Sequence, residues 1–171
     1  MQLTTPRLTI TTFSPAMAQS VYENSQDADT RRFVPDEVYD SADEARVAIK
    51  FLISRYDSAY GPFVYPIITN EGDQNIGYVQ LCQIDGGAWE IGYHIAKQFT
   101  GQGYATEAVK AFLPALAEKL NIKEVYGICL AENTASVRVL EKCGFVQIYQ
   151  GAGNYQGKEA QIVKTVWKNT I

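Results

Sequence analysis

Within residues 89–109 the sequence has the pattern of a strand, a glycine-containing turn and a helix that follow one another. Trp89–Ile95 is rich in aromatic and β-branched residues and predicts a strand, and a helix is expected to begin near Tyr104. The turn between them carries Gly101 and Gly103, which let the backbone bend tightly and come close to a ligand. The first N–H groups of a helix have no partner within it and lie at the positive end of its dipole. Such a place is suited to binding a phosphate group.

Two other interpretations of the glycine pair are open at this point. A Gly-x-Gly pair before a helix can be a tight turn that binds nothing. It can also belong to a dinucleotide-binding fingerprint, which requires a third glycine or alanine at the sixth position and a carboxylate that ends a later strand. This chain has Thr106 at the sixth position, and Glu124 opens the predicted strand 125–130. The fingerprint therefore fits poorly.

A second passage from a strand into a helix follows at residues 132–145, Glu-Asn-Thr-Ala-Ser-Val-Arg-Val-Leu-Glu-Lys-Cys-Gly-Phe. Together the two passages resemble the GNAT acyl-CoA N-acetyltransferases. That family's Gln/Arg-x-x-Gly-x-Gly/Ala loop, which holds the CoA pyrophosphate, is matched at Gln98, Gly101 and Gly103. Its Glu-Asn-x-x-Ser-x-x-x-x-Glu-Lys-x-Gly-Phe helix is matched at Glu132, Asn133, Ser136, Glu141, Lys142, Gly144 and Phe145.

The opening Thr5-Pro6-Arg7-Leu8-Thr9-Ile10 is similar to the start of the branch that includes the ribosomal-protein N-terminal acetyltransferases of the RimJ and RimL type. The resemblance implies a mixed α/β fold of α+β character, the GNAT fold. This is a twisted, mostly antiparallel sheet of about seven strands with a splayed central strand pair, flanked by about four helices. It also implies acetyl-CoA as co-substrate. The implied CoA-binding residues are His94, Ile95, Lys97, Gln98, Gly101, Gln102, Gly103, Tyr104, Ala105, Asn133 and Ser136.

Periodicity and turn residues place the elements in the order β-α-α-β-β-β-α-β-α-β-β. Strands are predicted at 8–13, 63–69, 76–84, 89–95, 125–130, 145–150 and 160–167, and helices at 14–24, 41–60, 103–120 and 134–142. The segment 27–39 is expected to be irregular, and 151–157 to connect the last two strands. Pro114 should remove a hydrogen bond from the third helix and bend it. Tyr56, Tyr60 and Tyr65 are interpreted as the edge of the core, with a lining of the acceptor site as the alternative.

Composition limits the class of protein. With 171 residues, of which 46% are apolar and 20% charged, the chain is expected to form one domain, residues 1–171. No apolar run approaches the ~20 residues of a membrane helix. Residues 1–7 lack the charged and apolar parts of a secretion signal, so a cytoplasmic protein is expected.

Charge and cysteine usage give two further expectations. Lys and Arg are scattered and the net charge is −4, which argues against nucleic-acid binding and suits a cationic acceptor. The three cysteines, Cys82, Cys129 and Cys143, and the single histidine, His94, have no recognisable metal-binding spacing. Reduced thiols and no metal are therefore expected.

Amine acetylation by a thioester requires a neutral amine and a proton for the departing thiolate. Glu90 is the candidate base, because it shares a strand face with Gly92 and His94, and a carboxyl buried in a covered sheet is expected to have a raised pKa. A structural carboxylate, exposed or ion-paired, is the alternative. His94 is a second candidate for proton transfer, with a structural donor as its alternative.

The proton donor to the thiolate is less clearly marked. In many GNAT enzymes it is a tyrosine just before the Glu-Lys pair, where this chain has Leu140. The RimJ/RimL-like branch then indicates Ser136, and water is the alternative. Asn133 is expected to cap the helix that contains Ser136.

The sequence thus predicts direct acetyl transfer from acetyl-CoA to a primary amine. The expected acceptor is the N-terminal amine of a protein or peptide, since its pKa near 8 leaves more neutral amine at pH 7 than lysine, near 10.4. A polyamine or amino-sugar compound is an alternative acceptor. A CoA-binding module without efficient catalysis, favoured by Leu140, and a nicotinamide-dependent oxidoreductase are alternative functions. Monomer and homodimer are both open.

Overall fold

The structure is a computed structural model that describes residues 1–169. Its strands are β1 (Leu3–Thr4), β2 (Leu8–Ile10), β3 (Phe63–Thr69), β4 (Asn75–Gln83), β5 (Trp89–Ile95), β6 (Glu124–Leu130), β7 (Val146–Tyr155) and β8 (Lys158–Lys168). Its α-helices are α1 (Ala18–Asn24), α2 (Ala28–Phe33), α3 (Ala42–Arg55), α4 (Tyr104–Lys119) and α5 (Thr134–Lys142). Short 3-10 turns lie at Pro15–Met17, Pro35–Glu37, Asp85–Gly87 and Lys97–Phe99.

Within residues 1–169 the strands form one eight-stranded sheet in the order β1-β2-β3-β4-β5-β6-β8-β7. Neighbouring strands are antiparallel except β5 and β6, which pair in parallel at Trp89 with Val125 and at Glu90 with Tyr126. No pair joins the rest of β5 to β6, so the two strands diverge beyond Glu90. The predicted fold class and its splayed central pair are confirmed.

Helices cover both faces of the sheet. The larger core cluster packs α4, through Val109, Phe112 and Leu116, against one face. The smaller cluster packs α1 and α3 against the other face, through Ala18 and Ile49. The side chains of β5 alternate between these two layers, as predicted from the period of a strand.

Several element boundaries differ from the predictions for local reasons. The segment 27–39 contains α2, because the Asp27 carboxylate accepts from the N–H groups of Asp29 and Thr30 and caps a short helix. The first strand ends at Ile10, a two-residue strand precedes it, and the first helix begins with the 3-10 turn at Pro15–Met17. The helix α3 ends at Arg55 and not near residue 60.

The last hairpin is longer than predicted. Residues 151–155 belong to β7, and the turn lies at Gln156 and Gly157, both with positive φ. Gly153 is in the strand, where it pairs with Ala160, and a Cβ atom there would lie 2.5 Å from the Ile162 side chain. The glycines at 151 and 153 therefore imitate a turn in the sequence although they are parts of a strand.

The remaining fold predictions concern single residues. The helix α4 continues through Pro114. Tyr65 is 1% exposed and stacks on Tyr56, with ring centres 4.7 Å apart, so the core interpretation of these two is confirmed. Tyr60 is 68% exposed, so it lies outside the core, and it lines neither of the two cavities described below. Among residues 1–169, no helix has the length and apolar character that crossing a bilayer requires.

Candidate active site

The divergence of β5 from β6 opens a cleft of about 1130 Å³ that passes through the sheet. On the side of α4 and α5 it is lined by Tyr93 and Ser136, and on the side of α2 by Glu90 and His94. Most residues predicted to contact the co-substrate line this cleft, namely His94, Ile95, Lys97, Gly101, Gly103, Tyr104, Ala105, Asn133 and Ser136. The fold therefore brings the two sequence passages to one opening.

The turn before α4 is shaped by two glycines in the left-handed region, Gly101 with φ +76° and Gly103 with φ +82°. Other residues are strained there, so the turn favours glycine at both positions. The Glu107 N–H donates to the Gly103 carbonyl at 3.1 Å and closes the first turn of the helix. For the N–H groups of residues 101–106, no acceptor is found among residues 1–169. They are free donors at the positive end of a 16-residue helix.

Arg7 holds this turn from the far end of the sequence. Its Nη1 donates to the Gln102 carbonyl at 3.0 Å, its guanidinium lies 4.5 Å from the centre of the Tyr104 ring, and its Nη2 pairs with Glu107 at 2.6 Å. Thr5 donates a further hydrogen bond of 2.6 Å to Glu107. In the sequence analysis Thr5 and Arg7 served only to mark the family resemblance, and their role in positioning the turn was not predicted. The one available signal was Glu107, an acidic residue in the first turn of α4.

Tyr93 and Ser136 meet across the cleft on the side of α5. Their hydroxyl oxygens are 2.8 Å apart, and the Ser136 carbonyl oxygen lies 3.1 Å from the Tyr93 hydroxyl oxygen, so both Ser136 oxygens are within reach of the single Tyr93 proton. Asn133 caps α5 as predicted, because its Oδ1 accepts from the Ser136 N–H at 3.1 Å. Burial raises the pKa of Tyr93 well above its usual value, and the hydrogen bond with Ser136 acts in the opposite direction. Tyr93 therefore remains a neutral hydroxyl group. Tyr93 was not among the site residues predicted from the sequence.

Glu90 lies on the opposite side of the sheet. Burial raises the pKa of its carboxyl to about 7, although the charge of Lys164 lowers it. Among residues 1–169 no ion pair or hydrogen bond to this carboxyl is found, and the Lys164 Nζ lies 4.6 Å above the Tyr126 ring. A half-buried carboxyl without a strong partner changes its charge near neutral pH, which is the property required of a base at that pH.

His94 is the first member of a hydrogen-bonded chain that leads to α2. Its Nε2 lies 2.7 Å from Thr30 Oγ1, which lies 2.6 Å from Asp27 Oδ2. Because a carboxylate only accepts, the Thr30 hydroxyl donates to Asp27 and accepts from His94 Nε2–H, which leaves Nδ1 as the acceptor of the neutral ring. Burial lowers the pKa of His94, against the opposing charge of Asp27. This geometry fits the structural donor that the sequence offered as the alternative for His94; Thr30 and Asp27 were missed.

Comparison with known proteins decides the family. The family model described as Acetyltransferase (GNAT) domain matches residues 7–146. This chain belongs to the GNAT family of N-acetyltransferases. Among its relatives, the uncharacterised N-acetyltransferase YnaD of Bacillus subtilis is 30% identical over 145 residues, which are 84% of this chain and 82% of YnaD. The nicotinamide-dependent alternative has no further support.

Solved structures of two ribosomal-protein acetyltransferases share the fold of this GNAT enzyme. The ribosomal-protein-S5-alanine acetyltransferase of Vibrio fischeri has a TM-score of 0.84 at 15% identity, and the match covers 99% of this chain and 97% of that one. RimL, a ribosomal L7/L12 α-N-protein acetyltransferase in complex with coenzyme A, has a TM-score of 0.81 at 17% identity, with 98% of both chains covered.

Three predicted CoA contacts of this acetyltransferase differ from the others in their surroundings. Gln98 and Gln102 are exposed and lie outside the cleft lining, and Gln102 uses its carbonyl to accept from Arg7. Lys97 is exposed at the rim and forms an ion pair with Asp29. Side-chain contacts of these three residues with CoA remain predictions.

On the side of α2, the acetyltransferase has polar residues that the sequence did not single out. Gln80 lies opposite Gly92 in the β4–β5 register, and a Cβ atom on Gly92 would lie 2.6 Å from its Nε2. The Gln80 amide donates to the Glu37 carboxyl at 3.4 Å. Tyr155 lines the same cleft and donates to the Phe33 carbonyl at 2.9 Å, which connects the β7–β8 hairpin to α2. No local signal in the sequence brings these segments together.

Proposed function

We propose that this enzyme transfers an acetyl group from acetyl-CoA to the N-terminal amine of a peptide or protein. The observation that carries the proposal is the cleft through the sheet. One of its sides presents the free N–H groups at the start of α4, and the other presents the unpaired carboxyl of Glu90. A bound thioester therefore meets an amine that enters from the opposite face. Two structural neighbours support this choice of acceptor: one is named as an α-N-acetyltransferase of ribosomal L7/L12, and the other as a ribosomal-protein-S5-alanine acetyltransferase.

The residues of the cleft fit an elongated co-substrate that carries a pyrophosphate. The free N–H groups of residues 101–106 are suited to phosphate oxygens, each charged hydrogen bond contributing about 1.5–3 kcal/mol. Beyond Glu90 the edge of β5 that faces β6 has no partner strand. The backbone groups of His94 and Ile95 on this edge are therefore available for the amide groups of the pantetheine arm. Asn133 and Ser136 line the opposite wall.

In the proposed reaction Glu90 removes a proton from the ammonium form of the acceptor, and the neutral nitrogen that results attacks the thioester carbonyl. The new C–N bond forms first, and collapse of the tetrahedral adduct breaks the C–S bond, so no acetyl group is attached to the protein. The adduct nitrogen loses its second proton to solvent, and the departing thiolate takes a proton from the Ser136 hydroxyl, whose oxygen accepts from the Tyr93 hydroxyl at 2.8 Å. Ser136 then regains a proton from solvent. A positioned general acid or base contributes roughly 10²–10⁴-fold in rate.

The test is acetyl-CoA-dependent thiol release over a panel of acceptors. The panel contains peptides with a free N-terminus, the same peptides with a blocked N-terminus, lysine peptides, polyamines and aminoglycosides. CoA binding is followed in parallel. Release with free N-termini that disappears on blocking is the expected result. Release only with polyamines or aminoglycosides would overturn the proposed acceptor and leave the donor unchanged.

A further inference from the structure

A second cavity, of about 280 Å³, adjoins the cleft on the side of α1 and α3. The residues that line both spaces are Thr30, Glu37, Tyr78, Gln80, Cys82 and His94. The two spaces are therefore adjacent, and this group of shared residues, which we call the junction, lies between them. No step of the proposed acetyl transfer uses the second cavity.

The inner part of the second cavity is apolar. Its lining includes Phe13, Val21, Ile49, Leu52 and Val64, which come from α1, α3, β3 and the segment before α1. An apolar cavity of about 150 Å³ holds a molecule as large as benzene. A cavity of about 280 Å³ therefore has room for a leucine, methionine or phenylalanine side chain.

The junction carries a second half-buried carboxyl. Glu37 lies at the end of the turn Pro35–Glu37, between α2 and α3, and accepts a weak hydrogen bond of 3.4 Å from Gln80. Within residues 1–169 it forms no ion pair. Burial raises its pKa to about 7. A cation next to this carboxyl would stabilise its charged form, and the neighbouring part of the protein supplies none.

Glu37 and Glu90 face the same part of the sheet. In the β4–β5 register, Gln80 lies opposite Gly92, and Cys82 lies opposite Glu90. Glu37 contacts Gln80, and Glu90 is paired with Cys82, two residues further along β4. The two carboxyls therefore lie next to each other on one face of the sheet. The charges of both carboxyls raise the pKa of Cys82, in addition to the larger effect of burial. An ammonium group at the junction is thus attracted by both.

We propose that the second cavity holds the first side chain of the acceptor peptide, and that Glu37 binds its ammonium group at the junction. The enzyme would then select N-termini that begin with a large apolar residue. This inference rests on the proposed function and adds to it the class of the first residue. Glu37 acts in binding and Glu90 in proton transfer, so replacement of the two should affect different kinetic parameters.

The experiment measures kcat and KM for peptides of one sequence that differ only at the first residue, Gly, Ser, Ala, Leu, Met or Phe. Peptides beginning with Leu, Met or Phe are expected to exceed the Ser peptide in kcat/KM by about 10-fold or more, since one methylene group in an apolar pocket already contributes about that factor. Val21→Phe fills the cavity and should abolish this preference. Val47→Phe, at a position of α3 that is 69% exposed, is the matched control and should keep it.

Glu37→Gln gives the second readout. It should raise KM for all peptides about 10-fold or more while kcat and the affinity for acetyl-CoA stay unchanged. Equal kcat/KM for the Ser and Leu peptides, unaffected by Val21→Phe, would overturn the side-chain pocket and leave N-terminal acetylation intact. Thiol release with a small amine and with no peptide would overturn both the pocket and the proposed function.

Discussion

The hydroxyl oxygens of Tyr93 and Ser136 lie 2.8 Å apart and connect β5 to α5 where β5 no longer pairs with β6. The Ser136 N–H is bonded to Asn133, so its backbone is fixed by the cap of α5 while its hydroxyl is fixed by Tyr93. The Ser136 hydroxyl, which we expect to protonate the thiolate, therefore acts together with the Tyr93 hydroxyl. Its orientation depends on a residue 43 positions earlier in the chain.

Replacement of either member should reduce turnover. Ser136→Ala removes the donor, and Tyr93→Phe removes the partner that orients it. Each should lower kcat about 10²-fold with little change in the KM for acetyl-CoA, because the interaction is used when the thiolate departs. The double variant should lose little more than either single variant, since the two residues act as a unit. Tyr149→Phe, on an exposed tyrosine of β7, is the matched control. Normal turnover of Ser136→Ala would instead assign the proton to water.

Glu90→Gln should change the pH dependence of the reaction. A base with a pKa of about 7 is increasingly protonated below that pH, so wild-type kcat should fall about tenfold per unit towards acid. The variant should lose roughly 10²–10⁴-fold near neutral pH and lose this inflection. Above the pKa of the amine the loss should shrink, because the neutral amine needs no base. Glu118→Gln, an exposed position of α4, should have the wild-type profile. A wild-type profile in Glu90→Gln would remove Glu90 from the mechanism.

The same carboxyl should make stability depend on pH. The folded protein raises the pKa of Glu90 from 4.5 to about 7, so the native state binds the proton more tightly than the unfolded state. The resulting stabilisation is complete below about pH 4.5 and is lost as the pH rises through about 7. Glu90→Gln should therefore unfold in urea like the wild type at pH 4.5 and be more stable at pH 8, by on the order of 2 kcal/mol. An equal difference at both pH values would contradict this prediction.

Gly101→Ala should weaken CoA binding. Nothing lies within 4 Å of the added Cβ atom, so the effect comes from the backbone, whose φ of +76° is unfavourable for alanine by about 1 kcal/mol. The turn is then expected to shift and to misdirect its free N–H groups, and Kd for CoA should rise about tenfold. Gly72→Ala, with φ +84° and ordinary contacts in the β3–β4 turn, controls for strain alone. It should lose comparable stability and bind CoA normally; equal CoA affinity in the two variants would contradict a role of the turn.

Features that depend on neighbouring residues could be predicted from the sequence. The glycine turn and the start of α4 are encoded within a few residues, and so is the Asn133 cap. The alternation along β5 correctly separated Tyr93 from His94, which contact α5 and α2 respectively. The family resemblance added the splayed strand pair, which local patterns do not encode.

Features that depend on distant segments could not be predicted. Thr30 and His94 are 64 residues apart, and Arg7 and Glu107 are 100 apart, so their contacts exist only after the sheet has formed. Glu37 lies in the segment 27–39, which was predicted to be irregular. The helix α2 in this segment was therefore not predicted, and neither was the position of Glu37 next to β4. Gly151 and Gly153 led to a wrong boundary for the last hairpin for a different reason. In the sequence, a glycine that packs closely within a strand cannot be distinguished from a glycine that forms a turn.

The acceptor proposed for this enzyme is an N-terminal amine. The most direct test offers acetyl-CoA and one peptide that carries both a free N-terminus, beginning with leucine, and an internal lysine. Fragmentation mass spectrometry then locates the acetyl group. We expect a single acetyl group on the α-amine, formed at a rate that Glu90→Gln reduces. Acetylation of the lysine, or no modified peptide alongside rapid acetylation of a polyamine, would contradict it.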